Sequence, residues 1–373
     1  MAGEVSGDLH GANIVRALSV LRPQMRFSGV GGSRMRAVGV NTYYDIAQLN
    51  TVGLIEVLDR AFPIYLIYRD IKKKLETEGF SLAIFIDYPT VNLRLGRLAR
   101  KKGIMSVYYI GPQLWAGRAP WRTWSIRRGF AKVLVIFPFE EPLYRRKNIP
   151  VEFVSHPLLD VVRPTLPREE ALKRFGLDSA HPIIGLLPGS RKSEIALLLS
   201  PILRAARLIR NELPQAQFVL ALADTIERNQ LEEFISAEEI KITVVEGYTY
   251  DVMNVADCLL VASGTATLEA GLLAKPMVIL YKFHFFTWLA TKILKKAPYL
   301  GLVNVLAGRE IVPELVQYQV TPSKIAHLSL EILQNPQRRH ALVEELQAIP
   351  PMLGSSGAVE RAAYSILDCL EMD

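Results

Sequence analysis

The chain has 373 residues, of which 50% are hydrophobic and 22% are charged. At roughly 150 residues per domain this length predicts two or three domains with a sizeable core, which excludes a disordered chain, a collagen-like repeat and a small disulfide-bonded scaffold. The 44 Lys and Arg residues exceed the 37 Asp and Glu residues, giving a net charge of +7. This excess favours phosphate-bearing partners or an anionic membrane surface. Without an aromatic-rich RNA motif or a Cys/His finger it does not indicate nucleic acid.

The sequence predicts a cytoplasmic protein without a membrane-spanning helix. Its two cysteines, Cys258 and Cys369, are expected to be reduced packing residues, and no signal peptide opens the chain. The most apolar stretches, 61–68 and 277–294, fall short of the ~20 consecutive apolar residues that a span requires. The segment 283–296 carries aromatic residues followed by lysines, which is the composition of an interfacial helix or, equally, of a buried core helix.

Short apolar, β-branched runs alternate with segments of helical period along most of the chain. Strands covered on both faces have unbroken apolar sequences, so this alternation predicts doubly wound parallel α/β layers. The predicted strands are 82–86, 106–110, 133–137, 183–187, 217–222, 242–245, 258–262 and 277–281. The predicted helices are 9–21, 93–102, 193–211 and 265–273.

Two turn-rich breaks divide the chain. Pro164 and Pro167 follow a predicted strand near 151–154, and a second break falls at 352–357. A last helix after this second break is expected to return to the first domain. The expected domains are 1–162, completed by 353–373, and 163–352.

The opening segment AGEVSGD, residues 2–8, combines two glycines with Ser6 and Asp8 as N-caps of a helix that starts near Gly7. Such a loop either faces an anion or a sugar hydroxyl, or is only a capped turn. A parallel sheet normally has a strand that feeds a turn of this kind. The first strand is therefore either absent or lies upstream of Met1.

Two further candidates lie at the ends of predicted strands in the first half. Asp87 follows a buried strand and precedes a turn fixed by Pro89, so it is either a general base or the cap of the next helix. His156 ends the strand near the domain boundary. It is either a substrate-binding residue or a structural histidine.

Two strand-to-helix turns in the second half are suited to phosphate. In each, an apolar strand runs into small polar residues and then a helix, whose N–H groups and dipole favour an anion. In the first turn Ser190 and Ser193 are the expected caps. The pair predicts a nucleoside diphosphate at the carboxyl ends of the C-terminal sheet, and an ordinary turn with a solvated arginine is the alternative. The candidate residues are Ser190, Arg191, Ser263, Gly264, Thr265 and, one turn into the second helix and within reach of a ribose, Glu269.

Taken together, these motifs resemble the bacterial lipid-A-disaccharide synthases over nearly the whole chain. The strings that carry the resemblance are, in order, AGEVSGD, GVGGSRM, IDYPTVN, PQLWA, FPFEE, VSHPLLD, LLPGSR, ASGTATLE and LVNVLAGRE. The resemblance implies a GT-B glycosyltransferase, with two Rossmann-like domains facing across a cleft and no metal or other cofactor. It also implies inverting transfer of 2,3-diacylglucosamine from its UDP conjugate to 2,3-diacylglucosamine 1-phosphate (lipid X), which forms a β-1,6-linked disaccharide and UDP.

The resemblance also implies roles for individual residues. The two phosphate-suited turns become the UDP site, Asn304 becomes a cleft residue, and Glu4, Ser6 and Asp8 lie on the acceptor side. The family usually has a second acidic residue three positions after the first in its IDxPxFN motif, and this residue is implicated as the base. Here that position is Thr90. Asp87, Asp8 or Glu4 then takes over as the base, or the protein is slow or altered in substrate.

The partners implied are the two lipid substrates and the inner face of the plasma membrane, on which the protein would be peripheral. Apolar stretches flanking 61–68 would receive acyl chains or dock on the membrane. Basic residues beside tryptophans would touch anionic headgroups or form a solvated face. The oligomeric state is left open. The residues of this basic surface are Arg118, Arg122, Arg127 and Arg128, with Trp115, Trp121 and Trp124.

Two other functions fit the same sequence. One is an isomerase of the UDP-N-acetylglucosamine 2-epimerase kind, which needs acidic and histidine residues around the C2 proton and no lipid surface. The other is a non-catalytic homologue that binds a sugar nucleotide or a lipid, a hypothesis motivated by Thr90 and by the missing first strand. An assay with the UDP-diacylglucosamine donor and lipid X separates the three hypotheses. Disaccharide supports the synthase, epimerised sugar supports the isomerase, and binding without product supports the non-catalytic homologue.

Overall fold

A computed structural model describes residues 1–46, 54–115, 120–282 and 299–371 of the chain. The chain divides into two compact units. The first unit is built mainly from Met1–Asp160 and Leu353–Asp373, and the second from Val161–Lys292 and Ala297–Met352.

Both units contain parallel sheets, and every strand in the described ranges pairs in parallel. In the first unit β1 pairs with β2, and a four-stranded sheet has the order β3-β4-β5-β6; the sheet of the second unit has the order β12-β11-β10-β7-β8-β9. The strands are β1 (Ser28–Gly31), β2 (Asn41–Asp45), β3 (Leu82–Ile86), β4 (Met105–Tyr109), β5 (Lys132–Val135), β6 (Val151–Phe153), β7 (Ile183–Leu187), β8 (Gln217–Leu222), β9 (Thr243–Glu246), β10 (Cys258–Ala262), β11 (Met277–Tyr281) and β12 (Glu314–Val316).

Helices connect these strands. Those of the first half are α1 (Val5–Leu21), α2 (Ser33–Ala37), α3 (Leu54–Thr77), α4 (Pro89–Lys101), α5 (Pro120–Gly129), α6 (Glu140–Arg145), α7 (Leu158–Val161) and α8 (Arg168–Phe175). Those that follow are α9 (Lys192–Glu212), α10 (Asn229–Ser236), α11 (Thr249–Val255), α12 (Thr265–Leu272), α13 (Leu302–Ala307), α14 (Pro322–Gln334), α15 (Pro336–Gln347), α16 (Ile349–Met352) and α17 (Ala358–Glu371).

The predicted fold class, doubly wound parallel α/β, is confirmed. The unbroken apolar runs at 183–187 and 258–262 form β7 and β10 with those bounds, because both strands are buried along their whole length. β1, β2 and β12 were missed. These are short strands whose residues are mostly half-buried, so they lack the continuous apolar sequence of a central strand.

Met1 and Ala2 lie where the expected first strand would run. The N–H of Ala2 donates to the carbonyl of Val30 in β1 (3.0 Å), and the carbonyl of Met1 accepts from the N–H of Ile86 in β3 (2.9 Å). Through these two hydrogen bonds, Met1 and Ala2 connect the two sheets of the first unit. α1 follows at Val5, four residues earlier than predicted.

The last helix belongs to the first unit. α17 packs on α1 and β4, and the turn before it is held by hydrogen bonds to the segment that follows β6. His156 donates its N–H to the carbonyl of Leu353 (3.0 Å), and the carboxylate of Asp160 accepts from the N–H of Gly357 (2.6 Å).

Within the described part of the chain, no helix is both long and apolar enough to cross a bilayer. The segment 283–296 and Arg118, which the sequence offered as membrane-facing, lie outside the described residues.

Candidate active site and nucleotide site

The opening segment and the turn after β3 pack directly on each other. A Cβ atom on Gly3 would lie 2.2 Å from Cγ of Tyr88, so only glycine leaves room for that ring. This contact brings Glu4 and Ser6, at the start of α1, to the end of β3 where Asp87 lies. Two candidates of the acceptor side and the candidate base therefore share one end of the first unit.

Asp87 stands on a left-handed stretch of backbone. Its φ angle is 45° and that of Tyr88 is 49°. The carbonyl of Asp87 accepts hydrogen bonds from the hydroxyl of Tyr108 (2.6 Å) and the side-chain amide of Asn92 (2.7 Å). Asp87 itself is half-buried, so a ligand can reach it, and Thr90 is exposed on the first turn of α4.

The hydrogen bonds of Asp8 support a structural role. Its side chain is buried, and its two oxygens accept the N–H groups of Gly32 (2.6 Å), Arg34 (3.1 Å) and Met35 (3.1 Å). Three such donors satisfy the carboxylate and fix it at the start of α2. This geometry explains Asp8 as an anchor between α1 and the GVGGSRM motif, and it argues against a role as the base.

The helix caps of the opening segment also differ from expectation. The N-cap of α1 is Glu4, and both Ser6 and Asp8 lie inside the first turns of the helix. The side chain of Glu4 forms no capping hydrogen bond and is half-buried.

His156 lies in the interior of the first unit, where the structural alternative explains it better. It is 4% exposed, and its Nδ1 accepts the N–H of Leu158 at 3.2 Å. Burial, and secondarily the nearby His10, lowers the pKa of His156 to about 3, so the ring is neutral. A buried and neutral ring that serves a backbone N–H is not placed to bind substrate.

Sequence reasoning missed Glu140, the first residue of α6. This carboxyl is 2% exposed and accepts from Nε1 of Trp115 (3.1 Å) and from the N–H of Phe137 (3.3 Å). Burial raises its pKa to about 7, and the charge of Asp87 acts in the same direction. The sequence feature that could have indicated a buried carboxyl here is a glutamate that directly follows the apolar residues of the FPFEE string. The indole of Trp115 is thereby turned to Glu140 and does not join the exposed tryptophans.

In the second unit the structure brings the two phosphate-suited turns together. β7 and β10 are neighbours in the sheet, with Leu187 opposite Val261. Their carboxyl ends therefore lie side by side, and the turns that follow emerge at the same edge. At this edge Ser190, Arg191, Gly264 and Thr265 are exposed, and Ser263 is half-buried.

The first turn is capped by Arg191 and held by the side chain of Glu194. The N-cap of α9 is Arg191, where Ser190 and Ser193 were expected as caps. Oε2 of Glu194 accepts the N–H groups of Ser190 (2.9 Å) and Arg191 (3.3 Å), and Oε1 lies 3.2 Å from Nη1 of Arg191. A carboxylate thus occupies the donors that were expected to face a diphosphate.

The second turn is more open. A Cβ atom on Gly264, the N-cap of α12, would meet nothing within 4 Å. The N–H of Ser263 donates to the carbonyl of Leu280 (2.8 Å), which fixes the start of the turn. One turn inside α12, Oε1 of Glu269 accepts the hydroxyl of Tyr250 at 3.1 Å, a partner that sequence reasoning missed.

Asn304 is a buried structural residue in the second unit. Its Oδ1 accepts the N–H groups of Ile311 (2.9 Å) and Val312 (3.1 Å). Its Nδ2 donates to the carbonyl of Val312 (3.0 Å) and to Oε2 of Glu314 (3.2 Å). The amide is fully used and 0% exposed, so this geometry does not support the expected cleft role.

The fold and these turns define a class of protein. Two Rossmann-like units with parallel sheets make the chain an α/β protein of the GT-B type. Solved structures share this fold: UDP-GlcNAc 2-epimerase from Neisseria meningitidis bound to UDP-GlcNAc (TM-score 0.61, 12% identity, 98% of each chain covered) and the calicheamicin glycosyltransferase CalG4 (TM-score 0.61, 14% identity, 99% of this chain and 96% of that one).

Sequence comparison identifies the family. A family model described as lipid-A-disaccharide synthetase matches residues 1–353. The lipid-A-disaccharide synthase of Syntrophus aciditrophicus is 42% identical over 372 residues, which cover 100% of this chain and 97% of the relative. The chain belongs to the lipid-A-disaccharide synthase family, as the motifs predicted. Its activity is the glycosyl transfer that forms the lipid A disaccharide, and the epimerase alternative is not favoured.

Proposed function

We propose that the donor's UDP group binds at the edge of the second unit where β7 and β10 end. The observation that carries this proposal is the pairing of these two strands, which sets two exposed helix N-termini beside each other. The N–H groups of the second turn and the guanidinium of Arg191 would hold the diphosphate, and those of the first turn would join them where the diphosphate displaces the carboxylate of Glu194. These groups would also stabilise the charge of the diphosphate as it departs. Glu269 on α12 is the candidate for the ribose.

The acceptor, lipid X, is assigned to the first unit, where Glu4, Ser6 and Asp87 share one end of the fold. Asp87 acts as the base: it removes the proton of the acceptor's 6-hydroxyl as that oxygen attacks C1 of the donor sugar. The bond from C1 to the diphosphate oxygen breaks, its electron pair leaves with UDP, and the configuration at C1 inverts. The threonine hydroxyl at position 90 is not a base near neutral pH.

Disaccharide formation from UDP-2,3-diacylglucosamine and lipid X tests these assignments. The Asp87→Asn substitution should lower turnover at least about a hundredfold, which is the usual contribution of a general base, and leave calorimetric UDP binding unchanged. Near-full turnover would remove Asp87 from this role. A large gain in rate from Thr90→Asp would show that the native chain is catalytically impaired.

We further propose that the protein is peripheral on the cytoplasmic face of the inner membrane, docking through α5 and the adjacent part of α4. Trp121 and Trp124 are 54% and 42% exposed, and the guanidinium groups of Arg97 and Arg128 lie 4.8 and 5.1 Å from the ring centre of Trp124. Exposed tryptophans surrounded by arginines suit an anionic interface.

Co-sedimentation with vesicles tests this surface. Binding to phosphatidylglycerol vesicles should exceed binding to phosphatidylcholine vesicles, weaken with salt, and fall in a Trp124→Ser, Arg128→Gln variant. Equal sedimentation of the variant and the native chain would assign α5 to a solvated basic face.

A further inference from the structure

The backbone at the proposed base is held in a conformation that its own residues disfavour. Asp87 and Tyr88 are consecutive non-glycine residues with φ angles of 45° and 49°, and Pro89 follows. A left-handed conformation is unusual for a bulky residue, and the residue before proline is normally extended. Such a pair persists only where the surrounding structure imposes it, and this occurs typically at functional sites.

Two buried side chains impose it here. The hydroxyl of Tyr108 donates to the carbonyl of Asp87 at 2.6 Å, and Nδ2 of Asn92 donates to the same carbonyl at 2.7 Å and to that of Ile86 at 3.2 Å. Tyr108 and Asn92 are both 0% exposed. Burial, and secondarily the charge of Asp87, raises the pKa of Tyr108 well above its usual value, so its hydroxyl remains a donor.

We propose that Tyr108 and Asn92 are positioning residues of the transferase: they clamp the carbonyl of Asp87 and thereby aim its carboxylate at the acceptor hydroxyl. This inference rests on the proposed role of Asp87 as the base. An aspartate side chain is short, so the direction of its carboxylate follows from the peptide that carries it. A displacement of about 1 Å at a reacting group lowers the rate by up to about a hundredfold.

The neighbouring tyrosine provides a matched control. Tyr109 is also 0% exposed, but its hydroxyl has no hydrogen-bond partner among the residues that the structure describes. Tyr108→Phe and Tyr109→Phe each remove one hydroxyl from the same strand at equal burial. Only the first removes a hydrogen bond to the carbonyl of Asp87.

Steady-state kinetics of the full-length enzyme test the proposal. Tyr108→Phe should lower kcat by about ten- to a hundredfold, with the KM of the donor, the calorimetric Kd for UDP and the Tm close to native values. Tyr109→Phe should keep native kcat. Asn92→Ser replaces the amide that donates to the carbonyl of Asp87 with a shorter side chain, and it should lower kcat in the same way. The double variant with Tyr108→Phe should lose less kcat than the product of the two single fold-losses.

The outcomes separate this inference from the function on which it rests. If Asp87→Asn abolishes transfer and Tyr108→Phe retains native kcat, the clamp is wrong and the base stands. If Asp87→Asn retains transfer, the base is wrong and the clamp has no catalytic purpose. If Tyr108→Phe and Tyr109→Phe lose kcat and Tm together, the effect is one of folding, and the proposed positioning role is overturned.

Discussion

Gly3 and Tyr88 are in contact so close that no side chain fits between them. The ring atoms Cγ and Cδ1 of Tyr88 lie 2.2 and 2.5 Å from the place of a Cβ on Gly3. A glycine in the first motif of the chain thus accommodates an aromatic residue of the third. The opening segment and the turn that carries Asp87 therefore behave as one structural element.

Gly3→Ala should disrupt this element. The added methyl group must displace the ring or the backbone, and overpacking of this kind typically lowers the free energy of unfolding by about 1–3 kcal/mol. We expect a lower midpoint in urea unfolding and a loss of turnover. In a Tyr88→Ala background, Gly3→Ala should leave the unfolding midpoint of that variant unchanged, because the clash is then gone. A single Gly3→Ala variant with native midpoint and turnover would contradict the contact.

The sheets could be predicted from the sequence because their central strands are buried on both faces. β7 and β10 have apolar residues or glycine at every position, and such runs are hard to mistake. β1 and β2 could not be predicted in this way, because they contain glycines, polar residues and tyrosines that are half-buried. Such strands have neither a continuous nor an alternating apolar sequence, so they cannot be recognised from hydrophobic periodicity.

The candidate residues were harder to predict than the fold. Asp8, His156 and Asn304 are polar residues in or beside motifs, and the structure buries all three against backbone N–H groups. Residue type alone does not distinguish a buried polar side chain that holds a loop from one that holds a ligand. The difference lies in the hydrogen-bond partners, which residue type does not report: Gly32 lies 24 residues from Asp8, and Ile311 lies on the chain that follows α13, seven residues from Asn304.

The proposed nucleotide site predicts the effects of substitutions at Arg191 and Glu194. Arg191→Ala should raise the calorimetric Kd for UDP about tenfold or more, because a charge-assisted contact to the diphosphate is lost. Glu194→Gln should lower this Kd about two- to fivefold. Its carboxylate holds the N–H groups of the turn and lies beside the guanidinium of Arg191, so it would compete with the proposed diphosphate for both.

A control for Glu194→Gln is available on the same unit. Glu232 pairs with Arg228 on the exposed face of α10, so Glu232→Gln removes the same charge away from the turn. Its Kd for UDP should stay native. Weaker UDP binding by Glu194→Gln would mean that the carboxylate organises the site rather than competes for it.

The hydrogen bonds of Asn304 predict that its substitution lowers the stability of the protein. Asn304→Ala would leave the N–H groups of Ile311 and Val312 buried without an acceptor. Because each unsatisfied group costs about 1–3 kcal/mol, the free energy of unfolding should fall by roughly 2–6 kcal/mol. Urea unfolding measures this loss, and the Kd for UDP below the unfolding transition should remain within twofold of native. A large change in the Kd for UDP without a loss of stability would instead support a role for Asn304 in binding.

Glu140 should make the stability of the protein depend on pH. Burial raises its folded pKa to about 7 from an ordinary value of 4.5, so between these values the folded chain binds the proton that the unfolded chain has released. The free energy of unfolding therefore falls as pH rises from about 4.5 through 7, by on the order of 3 kcal/mol in all.

The Glu140→Gln variant lacks this titration. The difference in unfolding free energy, variant minus native, should rise between pH 5 and pH 8 by nearly this amount. The hydrogen bond that glutamine loses adds only a constant, and the buried histidines His10 and His156 titrate equally in both chains. Urea unfolding of both proteins at the two pH values measures the difference, and a constant difference would show that Glu140 is ionised throughout.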